Sequence, residues 1–311
     1  MPSQSYDVLI VGGGLAGTAI AYELTRRGSR ILLLEAHDLC SGTTGASAGR
    51  VQIIESETED YLGLVLAGVR RLQGLGEELS CDLEWELPGH LTLVANPQDW
   101  GPLQERTSRL AARGVAAEML DQHALREAEP LLNFERFLGA AYSQEGHLNP
   151  FQLCLGYARA AQRQGAEMMA HAAVLGFESA RDGVYVTVSN GERYFGKSVI
   201  VAAGAWSGSL LAQAGLFLPM GFTHAEALIT ERLARSIHHH VGLVGFYEAV
   251  HGSRRTVTLG VGQHRNGTIL VSNAIEAAEQ IDTHSSYWGM PAIARALADI
   301  FPPLATVRVR S

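Results

Sequence analysis

The stretch YDVLIVGGGLAGTAIAYELTRRGSRILLLE, residues 6–35, decides the fold of this chain. Residues 8–11 form an apolar run with the length and β-branched content of a buried strand. Apolar residues then recur at helical spacing, and Gly28 is placed to end that helix. A second apolar run, residues 31–34, is followed directly by an acid. The stretch therefore predicts a β-α-β unit.

The turn between the first strand and the helix contains three glycines in the pattern G-x-G-x-x-G: Gly12, Gly14 and Gly17. Gly12 allows a tight turn, Gly14 lets a pyrophosphate approach the backbone, and Gly17 lets the helix pack closely on the sheet. The helix N-terminus offers free N–H groups and the positive end of its dipole to phosphates. The turn therefore predicts a dinucleotide site.

Glu35 closes the second strand, 18 residues after Gly17. A carboxylate at this position accepts hydrogen bonds from the adenosine ribose hydroxyls and repels a 2′-phosphate, which argues against NADP. The alternative is a glycine-rich turn in an ordinary α/β domain. Because strand, glycines, helix, second strand and acid all fall in register, dinucleotide binding is the favoured interpretation.

Length and composition bound the remaining possibilities. The chain has 311 residues, which is enough for two domains. Hydrophobic residues make up 47% of the chain and charged residues 18%, so we expect a sizeable core and no extensive disorder. The net charge of −8 disfavours nucleic acid and anionic membranes as main partners. The three cysteines show no paired spacing, the first residues are polar, and no apolar run is long enough to span a membrane. These features predict a cytoplasmic protein, which could still dock on a membrane partner.

Residues 41–49 consist almost entirely of Ser, Gly, Thr and Ala. Low-complexity linkers have this composition, but this segment directly follows a nucleotide-binding unit. Small hydroxylated side chains and free N–H groups suit a loop that wraps around a phosphate or sugar chain. We therefore interpret it as a cofactor loop.

Hydrophobic periodicity and turn residues predict the other elements. The predicted helices are 58–80, 99–113, 122–128 capped by Asp121, 150–164 capped by Asn149, and 290–300. The predicted strands are 84–87 and 91–94 around a Pro88-Gly89 turn, 137–142, 184–188, 198–203, 225–230, 256–261, 268–272 and 307–311, with hairpin turns at Asn190-Gly191 and Asn266-Gly267.

Four elements together resemble one family: IVGGGLAG…LLLE, the loop TTGASAGR, GHLNPFQL before a helix, and VIVAAGAWS. They resemble the flavin-dependent amine oxidoreductases of the D-amino-acid oxidase superfamily. The branch is that of glycine and sarcosine oxidases and of the flavin β subunits of opine and proline dehydrogenases and hydrogen cyanide synthase. The resemblance covers essentially the whole chain, and the combination is far more specific than the glycine motif alone.

The resemblance implies FAD as cofactor and hydride transfer from the α-carbon of an amino or imino acid to flavin, which carries the chemistry. It implies an α/β fold in which a Rossmann-like FAD-binding domain is interleaved with an antiparallel-sheet substrate domain. The expected domains are 1–80 plus 145–215 for FAD and 81–144 plus 216–305 for substrate. The implied cofactor-binding residues are Gly12, Gly14, Leu15, Ala16, Gly17, Glu35, Ala36, Thr43, Thr44, Ala48, Gly49, Arg50, Val174 (through its backbone, at adenine) and Gly204.

The sequence also departs from the family pattern. Family members continue into a W-x-G-L-R-P segment that supplies the arginine for the substrate carboxylate, whereas this sequence stops at Ser311. When the sequence is aligned with the family pattern, Gly260 stands where glycine oxidase has a tyrosine that binds the substrate carboxylate. We expect the sequence to be a fragment or the ordered part of a longer chain. The alternative is a natural short subunit completed by a partner.

Further candidates remain open. His238-His239-His240 could suggest a metal, but a solvated loop is favoured and no metal site is expected. Arg50 is balanced between a substrate contact and a surface ion pair. The favoured interpretation of Glu226 and Glu231 is an exposed strand face, that of Cys40 a buried filler, and that of Trp206 packing.

The leading hypothesis is an FAD-dependent oxidoreductase that oxidises the C–N bond of an amino acid, imino acid or opine. This hypothesis allows for association with a partner subunit or for a homo-oligomer. The alternative is a non-catalytic or truncated FAD-binding subunit of a hetero-oligomeric dehydrogenase. No catalytic residue is named, because hydride transfer from a neutral amine requires only orienting groups. An NAD dehydrogenase is less favoured, since it has no clear use for the TTGASAGR loop.

Overall fold

The computed structural model describes residues 5–56, 58–245, 249, 252 and 254–310. The chain divides into two compact units. The first comprises residues 1–49, 70–84 and 148–220, and the second comprises residues 50–69, 85–147 and 221–311. Each unit is built around its own sheet.

The first unit contains a six-stranded sheet with the order β8-β2-β1-β11-β10-β9. Its strands, in chain order, are β1 (Ser5–Val11), β2 (Ile31–Leu34), β8 (Glu167–Met169), β9 (Val174–Ala180), β10 (Gly183–Val188) and β11 (Arg193–Val201). β1 runs parallel to both β2 and β11, while β10 is antiparallel to β9 and β11. The central strands are apolar on both faces, as is usual for parallel strands.

The helices of the first unit are α1 (Leu15–Thr25), α2 (Thr43–Ala46), α4 (Leu75–Leu79), α7 (Pro150–Arg163) and α8 (Ser207–Ala212). Two of them, α1 and α7, follow the predicted signals. The Asn149 side chain accepts hydrogen bonds from the N–H groups of Phe151 and Gln152 and so caps α7 as predicted. The predicted cofactor loop is not entirely irregular, since one helical turn, α2, lies within it.

The second unit contains a seven-stranded sheet with the order β12-β15-β14-β13-β4-β6-β5. Its strands are β4 (His90–Val94), β5 (Ala117–Asp121), β6 (Gly139–Ser143), β12 (Phe222–Arg232), β13 (His240–Leu243), β14 (Thr256–Gln263) and β15 (Thr268–Ala278). A two-stranded sheet pairs β3 (Arg50–Val51) with β7 (Gly146–His147). Apart from the parallel pair β4 and β13, the large sheet is antiparallel, as the resemblance implies.

One face of this sheet packs on the helix α9 (Gly289–Ile300). Ile293, Leu297 and Ile300 lie in one buried cluster with Val241 and Val261 of the sheet. The remaining helices are α5 (Pro97–Ala112) and α6 (Gln122–Ala128), together with α3 (Glu59–Leu72), whose last residues belong to the first unit. Asp121 caps α6 as predicted by accepting a hydrogen bond from the Ala124 N–H.

Several sequence-based predictions are wrong. The helix predicted over 58–80 is interrupted at Gly74, which has φ +73° and separates α3 from α4. Residues 84–87 form no strand, only a single bridge between Glu86 and His147. The predicted terminal strand 307–311 contributes one bridge, from Val309 to Thr230, and its last residue lies outside the described residues.

Two side-chain expectations also fail. His240 is buried in β13 instead of lying in a solvated loop, because its strand is interior to the sheet. Glu226 is buried instead of lying on an exposed strand face, and it accepts hydrogen bonds from the N–H and hydroxyl of Ser286, near the start of α9. Cys40 is buried as predicted. Among the described residues, no helix is long and apolar enough to cross a bilayer.

Candidate functional site

The glycine turn of the first unit is shaped by close backbone approaches. Gly12 has φ +113°, and a Cβ there would lie 2.4 Å from the carbonyl oxygen of Ala202, just after β11. A Cβ on Gly17 would lie 1.9 Å from the Gly12 carbonyl oxygen. Gly12 therefore makes the tight turn and Gly17 the close helix packing that the motif predicts.

The Ser/Thr/Gly/Ala loop lies against the N-terminus of α1. The Leu15 N–H donates a 3.0 Å hydrogen bond to Oγ1 of Thr44, and this same oxygen is the nearest atom to a Cβ placed on Gly14, at 3.1 Å. Two segments 29 residues apart in sequence thus meet at one helix end. The N–H groups at this helix end suit an anionic group.

Glu35 lies beside the same turn. One of its carboxylate oxygens accepts a 2.6 Å hydrogen bond from the Gly13 N–H, and the other accepts a 2.8 Å hydrogen bond from the His37 N–H. Each oxygen has a second lone pair, so the carboxylate can still accept ribose hydroxyls. The structure thus gives Glu35 a role that the sequence did not indicate, which is to hold the glycine turn in place.

The other implied cofactor residues show the same backbone character. Gly49 has φ +64°, and a Cβ there would lie 2.0 Å from the Leu148 carbonyl oxygen. Gly204 has φ +54° and opens a 3-10 turn three residues after the last residue of β11, and Val174 begins β9. Leu15, Thr44 and Ala48 are half-buried, whereas Ala16, Ala36 and Thr43 are exposed. All the implied residues except Arg50 belong to the first unit, and glycine-lined turns at a helix N-terminus fit the pyrophosphate of FAD.

Arg50 belongs to the second unit, where it pairs with His147 across β3 and β7. Its Nη2 donates a hydrogen bond to Nδ1 of His90. Burial first, and the Arg50 charge second, hold the pKa of His90 well below its ordinary value. His90 is therefore a neutral acceptor, with its proton on Nε2.

Two more buried histidines extend this polar cluster. His147 Nδ1 and His240 Nε2 are 2.8 Å apart, and His147 Nε2 lies 3.3 Å from a carboxylate oxygen of Glu86. Burial, followed by the charges of His264 and Arg235, lowers the pKa of His147 to about 4. The pKa of His240 is also lowered, mainly by burial and then by the Arg50 charge. Both imidazoles are neutral at physiological pH.

Strand register explains why these side chains converge. The pairings place Ser143, His90 and His240 in one row across the sheet and Ala141, Thr92, Gly242, Gly260 and Ser272 in the next. Glycines leave space for the larger side chains. A Cβ on Gly262 would lie 2.1 Å from His240 Nδ1, and one on Gly260 would lie 3.0 Å from Arg50 Nη1. We call Arg50, His90, His147, His240 and these two glycines the polar sheet face.

Sequence reasoning missed the polar sheet face, apart from Arg50. A signal was present: β4 reads H-L-T-L-V, so His90 and Thr92 alternate with Leu91 and Leu93, which pack in the apolar cluster with α9. The identity of its cross-strand partners depends on register, which that alternation does not give. At Gly260, where the resemblance places a missing tyrosine, the structure brings the guanidinium of Arg50 alongside.

Comparison with known proteins agrees with this arrangement. The sequence profile of the family described as "DAO: FAD dependent oxidoreductase" matches residues 7–311, so the chain belongs to the DAO family, and FAD is the cofactor of that family. The sequence resemblance is thereby confirmed.

Individual relatives are more distant. The glycine oxidase of Bacillus subtilis (strain 168) is 30% identical over 227 residues, which cover 70% of this chain and 60% of that protein. The mitochondrial sarcosine dehydrogenase of Homo sapiens is 30% identical over 243 residues, which cover 75% of this chain and 26% of that protein. The chain thus spans less than two thirds of the curated relatives it matches.

Solved structures share the fold. Glycine oxidase from Geobacillus kaustophilus superposes with a TM-score of 0.88 at 22% identity, over 99% of this chain and 81% of that one. L-Proline dehydrogenase from P. horikoshii also gives 0.88, at 20% identity, over 100% of this chain and 80% of that one. The mixed α/β fold expected from the sequence is therefore confirmed.

Proposed function

We propose that this chain is the FAD- and substrate-binding part of an oxidoreductase that oxidises the C–N bond of an amino acid, imino acid or opine. The observation that carries the proposal is the joint placement of the glycine turn, Thr44 and Glu35 around one helix N-terminus. Family membership adds the reaction class, and similarity to glycine oxidase and sarcosine dehydrogenase adds the kind of substrate.

In this proposal the first unit binds FAD and the second receives the substrate. The α1 N-terminus, with Leu15, Ala16 and the motif glycines, holds the pyrophosphate, and Glu35 and Ala36 hold the adenosine ribose. The remaining contacts to FAD are assigned to Thr43, Thr44, Ala48, Gly49, Arg50, Val174 and Gly204. Bound FAD supplies hydride-accepting chemistry, and the residues of the chain bind and orient the reactants and exclude water.

The test is anaerobic reduction of the bound cofactor. The purified protein, reconstituted with FAD, should be yellow and should lose its flavin absorption with glycine, sarcosine or L-proline, the substrates that the relatives' names indicate. A colourless protein that takes up no FAD would overturn the proposal. If FAD binds but is not reduced by these substrates, by any other amino acid or by any opine, a non-catalytic FAD-binding subunit is favoured instead.

Association and location remain proposals of the sequence. A partner subunit or a homo-oligomer is supported by the resemblance to dehydrogenase β subunits, and light scattering of the purified protein measures it. A cytoplasmic location is supported by the three cysteines, which are free in the structure. Cell fractionation tests that location.

A further inference from the structure

Two cysteines of the first unit meet at the glycine turn. Cys154 lies on α7 and is buried, and its Sγ is 3.6 Å from the carbonyl oxygen of Gly13. Cys40 directly precedes the cofactor loop and is also buried, and its N–H donates a 3.1 Å hydrogen bond to that same oxygen. The two thiols are hydrogen-bond partners of each other. Two residues far apart in sequence thus converge on one peptide group of the turn.

Cys40 has a backbone conformation that favours glycine. Its φ is +67°, in the left-handed region that residues with a Cβ rarely adopt. A glycine at this position would remove the strain, yet the chain has a thiol there, hydrogen-bonded to Cys154. Strained residues that persist beside a ligand site suggest a role for the side chain. Packing alone does not explain why a cysteine occupies this position.

The surroundings make the two thiols unequal. The hydrogen bond from Cys40 lowers the pKa of Cys154, burial opposes that change, and the Thr18 hydroxyl, 3.5 Å away, supports it. The same hydrogen bond, together with burial, raises the pKa of Cys40. Cys154 is therefore the thiol that ionises first, and the thiolate is the form that attacks an oxidant. Cys40 is the neighbouring thiol that can complete a disulfide.

We propose that Cys40 and Cys154 form a disulfide in the presence of a hydroperoxide and that this disulfide weakens the binding of FAD. With hydrogen peroxide, the Cys154 thiolate attacks the O–O bond and becomes a sulfenic acid, and the hydroxide released takes up a proton to form water. The Cys40 thiol then attacks that sulfur, and a second water leaves. Overall, two thiols lose two electrons and two protons, and one hydrogen peroxide becomes two waters.

Access to the pair comes from the segment around Cys40. Asp38, Ser41 and Thr43 in this segment are exposed, although Cys40 itself is shielded. Hydrogen peroxide is small and uncharged, so a local opening of this segment, far short of global unfolding, admits it. In a reducing compartment such a pair remains reduced until an oxidant appears, which is typical of a redox-sensing disulfide.

The effect on FAD follows from the change at the glycine turn. Bonded sulfurs lie about 2 Å apart, much closer than hydrogen-bonded thiols, so Cys40 has to move toward α7. Cys154 also loses the S–H that reaches the Gly13 carbonyl oxygen. Because the Gly13 N–H binds Glu35, the displacement affects the ribose side of the site as well as the turn. The proposal goes beyond the proposed function and rests on it only for the identity of the cofactor.

The first experiment maps the disulfide and depends on neither FAD nor turnover. The purified full chain is treated with hydrogen peroxide, the remaining thiols are blocked, and the peptides are analysed by mass spectrometry without reduction. We expect one linked pair of peptides, containing Cys40 and Cys154, and Cys81 recovered as a blocked thiol. Unmodified thiols, sulfinic acid at either residue, or a linked peptide that contains Cys81 would overturn the proposal.

The second experiment measures FAD affinity before and after oxidation. The Kd for FAD should rise about tenfold in the disulfide form, and dithiothreitol should restore it. By reciprocity, bound FAD should shift the thiol–disulfide equilibrium toward the thiols by the same factor. An unchanged Kd in protein that contains the linked peptides would overturn the coupling and leave the proposed function intact. If neither form binds FAD, the proposed function fails instead.

Three variants assign the response to this pair. Cys40→Gly removes one thiol and relieves the strain at φ +67°, and Cys154→Ser keeps a hydroxyl donor for the Gly13 carbonyl oxygen. Neither variant should change its FAD affinity on treatment with peroxide. Cys81→Ser is the matched control, since it removes a half-buried thiol of the same unit, and it should respond as the unaltered protein does. A full response in Cys40→Gly or Cys154→Ser would overturn the assignment.

Discussion

The glycine turn of the first unit and the polar sheet face of the second unit are built in opposite ways. The turn is made of backbone from a few short segments, and at two of its glycines, Gly12 and Gly17, a Cβ would meet a carbonyl oxygen. The polar sheet face is made of side chains from strands far apart in sequence, from β3 to β14. The glycine turn depends on residues close together in sequence, whereas the polar sheet face depends on the register between distant strands.

The largest expected effect concerns the glycine turn of the first unit. In Gly17→Ala the new methyl group would lie 1.9 Å from the Gly12 carbonyl oxygen. Because that oxygen belongs to the backbone, we expect unfolding free energy to fall by about 3 kcal/mol and FAD affinity to fall at least tenfold. Thermal denaturation and FAD titration measure these changes.

Gly101→Ala is the matched control. Gly101 lies within α5, and a Cβ there would meet nothing within 4 Å. The control should gain up to about 1 kcal/mol from helix propensity. Equal behaviour of the two variants would contradict the backbone account of the turn.

Acid should destabilise the polar sheet face. The pKa of His147 is about 4 in the folded chain and ordinarily 6.5, so the unfolded chain binds the proton more readily. Its stabilising contribution is complete above pH 6.5 and is lost as pH falls toward 4, by about 3 kcal/mol. Denaturant unfolding at several pH values measures the slope, which His147→Asn should reduce. The same slope in both proteins would show that this histidine is not responsible.

A smaller effect tests how tightly the polar sheet face is packed. Gly262→Ala places a methyl group 2.1 Å from His240 Nδ1, and the buried imidazole has to shift. We expect a loss of about 2 kcal/mol of unfolding free energy, measured by denaturant titration. In the background of His240→Ala the same substitution should cost much less, because the imidazole is gone. Additive effects would argue against a direct contact.

The smallest effect concerns a local signal in the first unit. Asn149→Ala removes the side chain that accepts the Phe151 and Gln152 N–H groups at the start of α7. The expected cost is about 1 kcal/mol of unfolding free energy, measured by thermal denaturation. Asn149→Asp keeps an acceptor and should cost less than half of that. A full loss in Asn149→Asp would point to its amide contact with Glu84 instead.

These contrasts explain how much the sequence predicted. The unit β1-α1-β2, the caps Asp121 and Asn149, and the hairpin at Asn266-Gly267 were predicted because each depends on residues close together in the chain. Long-range pairing did not follow from such signals. The interior strand β13 is only four residues long and begins within the triple histidine, so its burial was missed.

The candidate site divides along the same line. The approach of Thr44 to Leu15 was expected in outline, since a loop that follows a nucleotide-binding unit is a natural cofactor contact. The hydrogen bond from Arg50 to His90 spans 40 residues and joins two different sheets. Nothing in the spacing of those residues indicated it, because it depends on which strands become neighbours.

The central claim is that the first unit is an FAD site built on the glycine turn. Titration of the purified, cofactor-stripped chain with FAD, with NAD⁺ in a parallel titration, tests it most directly. The account predicts one FAD bound per chain, no comparable binding of NAD⁺, and loss of FAD binding in Gly12→Ala, where a Cβ would lie 2.4 Å from the Ala202 carbonyl oxygen. Binding of NAD⁺ in preference to FAD, or undiminished FAD binding by the variant, would contradict it.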